Sequence, residues 1–286
     1  MIDPEKITRA LSSIEQLFTP WRTRRLFARK KFLSDTHPAI RYDTFAITSK
    51  GARAINEDAY GFSQSEDGRA FWVLADGLGG HSGGAEASRT AVAAISEWFR
   101  TGFGLAEKDV DFALRAAQAA IIASRKSSFS RMYTTVVMLV TDGAAARWAH
   151  VGDSRLYHFR DGKVLAWTED HSVPYFLYRA GEIGFDAIRT HKDRNRLVLS
   201  LGTEEGPWNP GILSGSPALL RGSDAFLLCS DGFWEFVLET EMEADLAAST
   251  SSESWAKAME HRLHNRIRTK AETKYDNYTV IAIKPM

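Results

Sequence analysis

Apolar residues along the chain fall into short unbroken runs, and several of these runs stop at an acid followed by glycine. Ala70-Phe71-Trp72-Val73-Leu74-Ala75 reads as a buried strand and gives way to Asp76-Gly77-Leu78-Gly79-Gly80-His81. Ala225-Phe226-Leu227-Leu228-Cys229 repeats the pattern and ends in Ser230-Asp231-Gly232. Tyr42–Ser49 and the β-branched stretch 134–141 predict further strands, and Tyr275-Asp276-Asn277 puts an acid just before a last strand that runs through Ile283. The stretch 147–164 reads as a strand, a tight Gly152-Asp153-Ser154 turn, a second strand and an Asp161-Gly162 hairpin. Helical spacing appears at 85–100 (Ser88, Val92, Ile95, Phe99), at about 106–126 (Val110, Leu114, Ala117, Ile121) and at 252–270 (Trp255, Met259, Leu263, Ile267). Strands joined by hairpins, with helices between groups of them, predict antiparallel sheets flanked by helices.

Two stretches depart from this order. Residues 168–210 are polar and irregular, with helical promise only near 175–180, and suggest a surface flap beside a site, at about 171–205. Residues 1–41 form an N-terminal extension set apart from a main domain at 42–286. Ile7, Leu11, Ile14 and Leu17 recur there at helical spacing up to Pro20, and Arg22, Arg24, Arg25, Arg29, Lys30 and Lys31 follow among Trp21, Leu26, Phe27 and Phe32. That extension is either a docking arm or an amphipathic helix packed on the domain.

Composition narrows the possibilities without naming one. The 286 residues suffice to bury a full core, and 44% apolar with 25% charged residues is ordinary for a globular protein. Lys plus Arg equal Asp plus Glu at 36 each, so no overall charge speaks for nucleic acid. The single cysteine, Cys229, excludes a disulfide within the chain and reads as a buried structural thiol. No apolar run has the length of a membrane span and the first residues lack the layout of a signal peptide, so the expectation is a cytoplasmic protein, acting as a monomer.

Chemistry enters through the acids. An Asp-Gly after a strand is by itself a common turn. Two strands that each deliver an aspartate to a core edge suggest instead that carboxylates gather at one place, where a hard divalent cation would relieve their repulsion. Arg53 precedes Glu57 and Asp58 within Lys50-Gly51-Ala52-Arg53-Ala54-Ile55-Asn56-Glu57-Asp58, which is either a surface ion pair or an anion-binding arginine beside a metal-binding glutamate.

Taken in order, Arg53…Asn56-Glu57-Asp58, Ala75-Asp76-Gly77-Leu78-Gly79-Gly80-His81, Gly84…Ala87-Ser88, Gly152-Asp153-Ser154-Arg155, Glu169-Asp170-His171-Ser172, Ser230-Asp231-Gly232 and Asp276-Asn277 resemble the metal-dependent serine/threonine protein phosphatases (PPM, or type 2C) in their bacterial form. The resemblance implies an α+β fold, a central antiparallel β-sandwich with a helical layer on each outer face, and a centre of two Mn²⁺ or Mg²⁺ ions, with a third in many bacterial members. It implies that Asp76 bridges the two ions, that Glu57 and the Gly77 carbonyl complete one, and that Asp231 and Asp276 serve the other. Asp153 with Asp231 would hold a third, Asp58 would hold metal-bound water, and Arg53 would grip phosphate with its planar fork. The implied reaction is direct hydrolysis of phosphoserine or phosphothreonine on a protein by a metal-bridging water or hydroxide, opposing a serine/threonine kinase.

Three departures accompany the resemblance. Leu78 stands where animal members carry a histidine proposed as general acid, Tyr133 stands where glycine is common, and His81 is open to a structural or a proton-transfer role. The competing readings are a catalytically weak scaffold of the same fold that binds phosphoproteins or a kinase, and a phosphatase for small phosphate esters.

Overall fold

The computed structural model describes residues 39–78, 83–125, 131–204, 208–271 and 273–286. Most of the N-terminal extension, including its basic stretch, and His81 lie outside the described residues.

The predicted alternation resolves into two antiparallel sheets. One pairs β1 (Tyr42–Ser49), β12 (Tyr278–Pro285), β11 (Ala225–Cys229), β7 (Arg155–Arg160) and β8 (Lys163–Trp167) in that order. The other runs β10 (Ala218–Leu219), β6 (Ala145–Val151), β5 (Val136–Thr141), β3 (Ala70–Leu78) and β2 (Asp58–Gln64), with β4 (Tyr133–Thr134) on β3 and β9 (Gly211–Ile212) on β6. Successive side chains of a strand point to opposite faces, and here both faces are apolar. In β3, Ala70, Trp72 and Leu74 pack between the sheets with Val137, Leu139, Leu156, Phe226, Leu228, Ile281 and Ile283. Phe71, Val73 and Ala75 face the other way, onto helices α1 (Gly83–Gly102) and α2 (Glu107–Ser124). On the opposite flank Tyr157, Phe159, Leu227, Cys229, Val280 and Ala282 pack against α5 (Glu239–Ala248) and α6 (Ser252–Thr269). The result is four layers, helix, sheet, sheet, helix, as the sequence led us to expect.

Local chemistry accounts for the turns. Asp161 and Gly162 both have positive φ, 53° and 76°, so the pair makes the tight hairpin between β7 and β8. Ser251 accepts a hydrogen bond from the Ser254 amide and starts α6. The Gly152-Asp153-Ser154 turn does more than a hairpin turn would. It carries the chain from β6 in one sheet to β7 in the other.

Several elements differ from expectation. The buried face of α1 is Ser88, Ala91, Ile95 and Trp98, so Val92 and Phe99 sit at its margin. The 134–141 run is broken at Thr135, whose amide bonds to the Asp76 carbonyl. The strand β2 has Gly61 and exposed Tyr60 and Phe62, and α5 buries only Met242, Asp245 and Leu246 among four acids; neither shows a readable period. Within 168–210 the chain forms α3 (Val173–Arg179) and a 3₁₀ turn at Phe185–Thr190. A four-residue helix, α4 (Asp231–Trp234), follows β11 directly. Among the described residues no helix is long and apolar enough to cross a membrane.

The layer assignment predicts a contrast. Trp72→Ala, in the inter-sheet core, should lower unfolding free energy by about 3–5 kcal/mol. Phe112→Ala, on the outer face of α2 with 63% of Phe112 exposed, should change it by no more than about 0.5 kcal/mol. Chemical denaturation of the two variants decides it, and similar losses would contradict the layering.

Candidate functional site

The strand parity that fills the sandwich also brings polar residues to its end. After Ala70, Trp72 and Leu74, the next side chain on the inter-sheet face of β3 is Asp76, and Asp58 of β2 is its direct neighbour in register. From the other sheet come Ser230, after Phe226 and Leu228, and Thr279, before Ile281 and Ile283. Their hydroxyls both donate to Asp58 Oδ2, at 2.9 and 2.7 Å. Thr135 Oγ1 accepts from the Asp76 amide at 3.1 Å and lies 2.7 Å from Ser154 Oγ, a second polar link between the sheets.

The 50–57 loop is set by a single amide. Asn277 donates from Nδ2 to the carbonyls of Lys50 and Ile55, at 2.8 and 2.9 Å, and its Oδ1 accepts from the Glu57 amide at 2.8 Å. That brings Arg53 onto Asp276, with Nη2 donating to Oδ2 at 2.6 Å. Gly77 is packed so closely that a Cβ there would stand 2.2 Å from the Gly84 carbonyl oxygen and 2.6 Å from that of Glu57. Only glycine fits. Arg53, Glu57, Asp76, Gly77, Asp153, Asp231 and Asp276, with Leu78, Asn195 and Leu197, line one cavity of about 210 Å³.

Charge is unevenly matched there. Burial first, and neighbouring carboxylates second, hold Asp76 and Asp153 well above the usual carboxylate range. Burial pushes Asp58 up to about 7, and burial with the Asp276 charge pushes Asp231 to about 6. Glu57 is raised by burial and by Asp276, against the opposing pull of Arg53 and of the Gly84 and Ala85 amides at the start of α1. Asp231, the first residue of α4, lines the same cavity as Asp76.

The donor set is one that hard divalent cations prefer: oxygen only, and largely anionic. Glu57 Oε1 and Asp58 Oδ1 are buried with no hydrogen-bond partner, which leaves acceptor capacity for an ion or its water. The shell is nevertheless open. Among the described residues no three His, Cys, Asp or Glu side chains close around a single point as they stand. Ions that retain several waters need no tighter cage.

Every residue singled out from sequence as catalytic or metal-binding thus falls at this end of the sandwich. Asp58 stands just behind the cavity wall and the others on it. The surface ion pair that is one of two readings of the 50s loop is made not within it but with Asp276, 223 residues away. Asn195 and Leu197, from the 168–210 stretch, carried no signal of their own, and neither did the hydroxyls of Ser230, Thr279 and Thr135. Tyr133, the departure from the common glycine, pairs with Leu78 and has the Arg125 guanidinium 5.5 Å from its ring centre. Cys229 is buried, and burial pushes its thiol far above the ordinary range.

Known proteins resemble this chain in sequence and fold. A family model described as Protein phosphatase 2C matches residues 49–270. The serine/threonine phosphatase stp of Listeria welshimeri is 33% identical over 159 residues, 53% of this chain and 63% of that relative. The serine/threonine phosphatase PstP/Ppp of Mycobacterium tuberculosis superposes with a TM-score of 0.71 at 28% identity, over 86% of this chain and 98% of that one. A catalytic domain of a serine threonine protein phosphatase PstP, described in complex with two manganese ions, superposes with a TM-score of 0.68 at 27% identity, over 86% and 99%.

The raised carboxyls give a pH prediction. Asp58 and Asp231 bind protons more tightly folded than unfolded, so between about pH 5 and 8 the native state holds the excess protons and stability falls as pH rises. Thermal melting in EDTA should show a melting temperature that drops across that interval. Saturating Mn²⁺, which competes with those protons, should flatten or reverse the slope. A melting temperature that rises with pH in EDTA would contradict the clustering.

Proposed function

Since the chain belongs to the protein phosphatase 2C family, we propose that it hydrolyses phosphoserine and phosphothreonine esters on proteins with the help of divalent ions. The observation that carries the reading is the convergence of Glu57, Asp76, Asp153, Asp231 and Asp276 with Arg53 on one cavity. Asp76 would be shared by two ions of Mn²⁺ or Mg²⁺, with Glu57 and the Gly77 carbonyl on one side and Asp231 and Asp276 on the other. Asp153 and Asp231 would take a third. When bound, such ions supply an acidified water and positive charge for the phosphoryl oxygens.

The remaining work belongs to the chain. The Arg53 side chain is 58% exposed at the cavity rim, and its contact with Asp276 leaves most of its N–H groups free for a phosphate. Asp58, fixed through Oδ2 by Ser230 and Thr279, keeps Oδ1 free to orient water. Leu78 brings no titratable group to the wall, so the proton for a leaving alkoxide has to come from another group or from water. Such an activity implies a serine/threonine kinase that lays down the phosphate. The scaffold alternative would be favoured by loss of a carboxylate, and Glu57, Asp76, Asp231 and Asp276 are all retained.

Purified protein should hydrolyse p-nitrophenyl phosphate and phosphothreonine peptides with Mn²⁺ and stop in EDTA. Asp231→Asn should lower kcat by about 10²–10³, the scale of losing one transition-state charge stabiliser. Intact turnover in Asp76→Asn would refute the site assignment. For Arg53→Ala the loss should fall mainly on KM, by about tenfold or more, and Arg53→Lys should restore little of it. Equal use of small esters and phosphopeptides by kcat/KM would favour the small-ester reading.

A further inference from the structure

We infer that Trp234 is a positioning residue that fixes the separation of Asp153 and Asp231, and thereby sets the affinity for the ion those two carboxylates would share. The inference rests on the function proposed above and concerns how this chain tunes one part of the site.

Asp231 and Trp234 are the first and last residues of α4, three positions apart on a single rigid turn. The indole Nε1 donates to the Asp153 carbonyl at 3.0 Å, across 81 residues of sequence. A tryptophan has one polar hydrogen, and here it is spent on the backbone of a residue that lines the cavity. The ring cannot swing away. The Arg155 guanidinium lies 3.6 Å from its centroid and is itself held by Asp170 through two bonds, at 2.8 and 2.7 Å, and by the Tyr157 hydroxyl at 3.0 Å. Arg155 follows Asp153 by two residues, so the turn that bears one carboxylate clamps the indole that reaches back to it.

The other flank of that turn is closed as well. The Gly152 amide donates to His171 Nδ1 at 3.1 Å, and the His171 amide donates to the Gly152 carbonyl at 2.9 Å. Trp234, Arg155, Asp170 and Gly152 are all buried. The β7–β11 ladder sets Arg155 opposite Cys229 and brings the two segments side by side, and the bond from Trp234 is the side-chain link that ties the Asp153 backbone itself to α4. A tryptophan present only to fill space would not need its N–H, and the two roles separate on that atom.

Trp234→Phe keeps a ring over Arg155 and removes the donor. Mn²⁺ binding to the full chain, followed by the loss of the free-ion electron paramagnetic resonance signal, should show the tighter ions unchanged. The weakest class should lose about three- to tenfold in affinity, the value of one hydrogen bond. The melting temperature in EDTA should fall by a few degrees, the cost of the smaller ring and the orphaned carbonyl, and stay above the temperature of the binding measurement. In an Asp153→Asn background, where the shared ion has already lost a ligand, Trp234→Phe should have no further effect on binding. Unchanged Mn²⁺ binding by Trp234→Phe, or an equal loss with and without Asp153, overturns the inference alone. A parent protein that binds no Mn²⁺ overturns the functional reading and the inference with it.

Discussion

The structure turns on the cost of burying several carboxylates side by side. Removing each from water is unfavourable, and every neighbour of like charge adds to the penalty. The chain meets that cost locally with neutral donors. Ser230 and Thr279 serve Asp58, the first amides of α1 serve Glu57, and the Gly232 amide serves Asp231. Arg53 reaches the group directly, and it does so at the exposed rim on Asp276. Neutral donors can hold carboxyls in place without cancelling their charge, and this leaves the group with a raised affinity for protons that a cation would displace.

That arrangement follows from strand periodicity rather than from a special loop. The face of β3 that supplies Ala70, Trp72 and Leu74 to the core supplies Asp76 next, and the equivalent steps on β11 and β12 supply Ser230 and Thr279. The two sheets are therefore joined by apolar packing along their length and by hydroxyl–carboxylate bonds at one end. Three apolar layers, one between the sheets and one under each pair of helices, hold the frame against the strain of the polar end. Local destabilisation at a functional site persists where the surroundings over-determine it.

The strands were legible because their apolar runs are unbroken and stop sharply at Asp76 and Asp231. The family resemblance was legible because its motifs are short, ordered and built on acids and glycines whose roles are local. What escaped notice lacks such a signal. Asp58–Gln64 is an edge strand whose Tyr60 and Phe62 stay exposed although they share the face of Leu74 and Trp72, and Glu239–Ala248 has too few apolar positions to show a period. The buried set of Arg155, Asp170, Tyr157 and Trp234 is assembled from distant segments, and a lone Arg or Trp in sequence does not disclose its partner. The Arg53 contact shows the same limit. Proximity in sequence to Glu57 and Asp58 leaves a local pair open as one of two readings, whereas folding places the arginine on Asp276.

Asp276 and Asn277 are best understood as one device. The Asn277 side chain makes three bonds to the 50–57 backbone, both of its donors and its oxygen being used on one loop. Those bonds bring Arg53 and Glu57 to the residue immediately before it, so two side chains from the start of the domain and one from its end meet by construction. The Arg53–Asp276 pair is solvent-exposed on both sides and therefore contributes little to folding. Its value is positional. An arginine held by one weak, screened contact is kept within reach of the cavity and can give up that contact for a more strongly charged anion, which a deeply buried pair such as Arg155–Asp170 could not do.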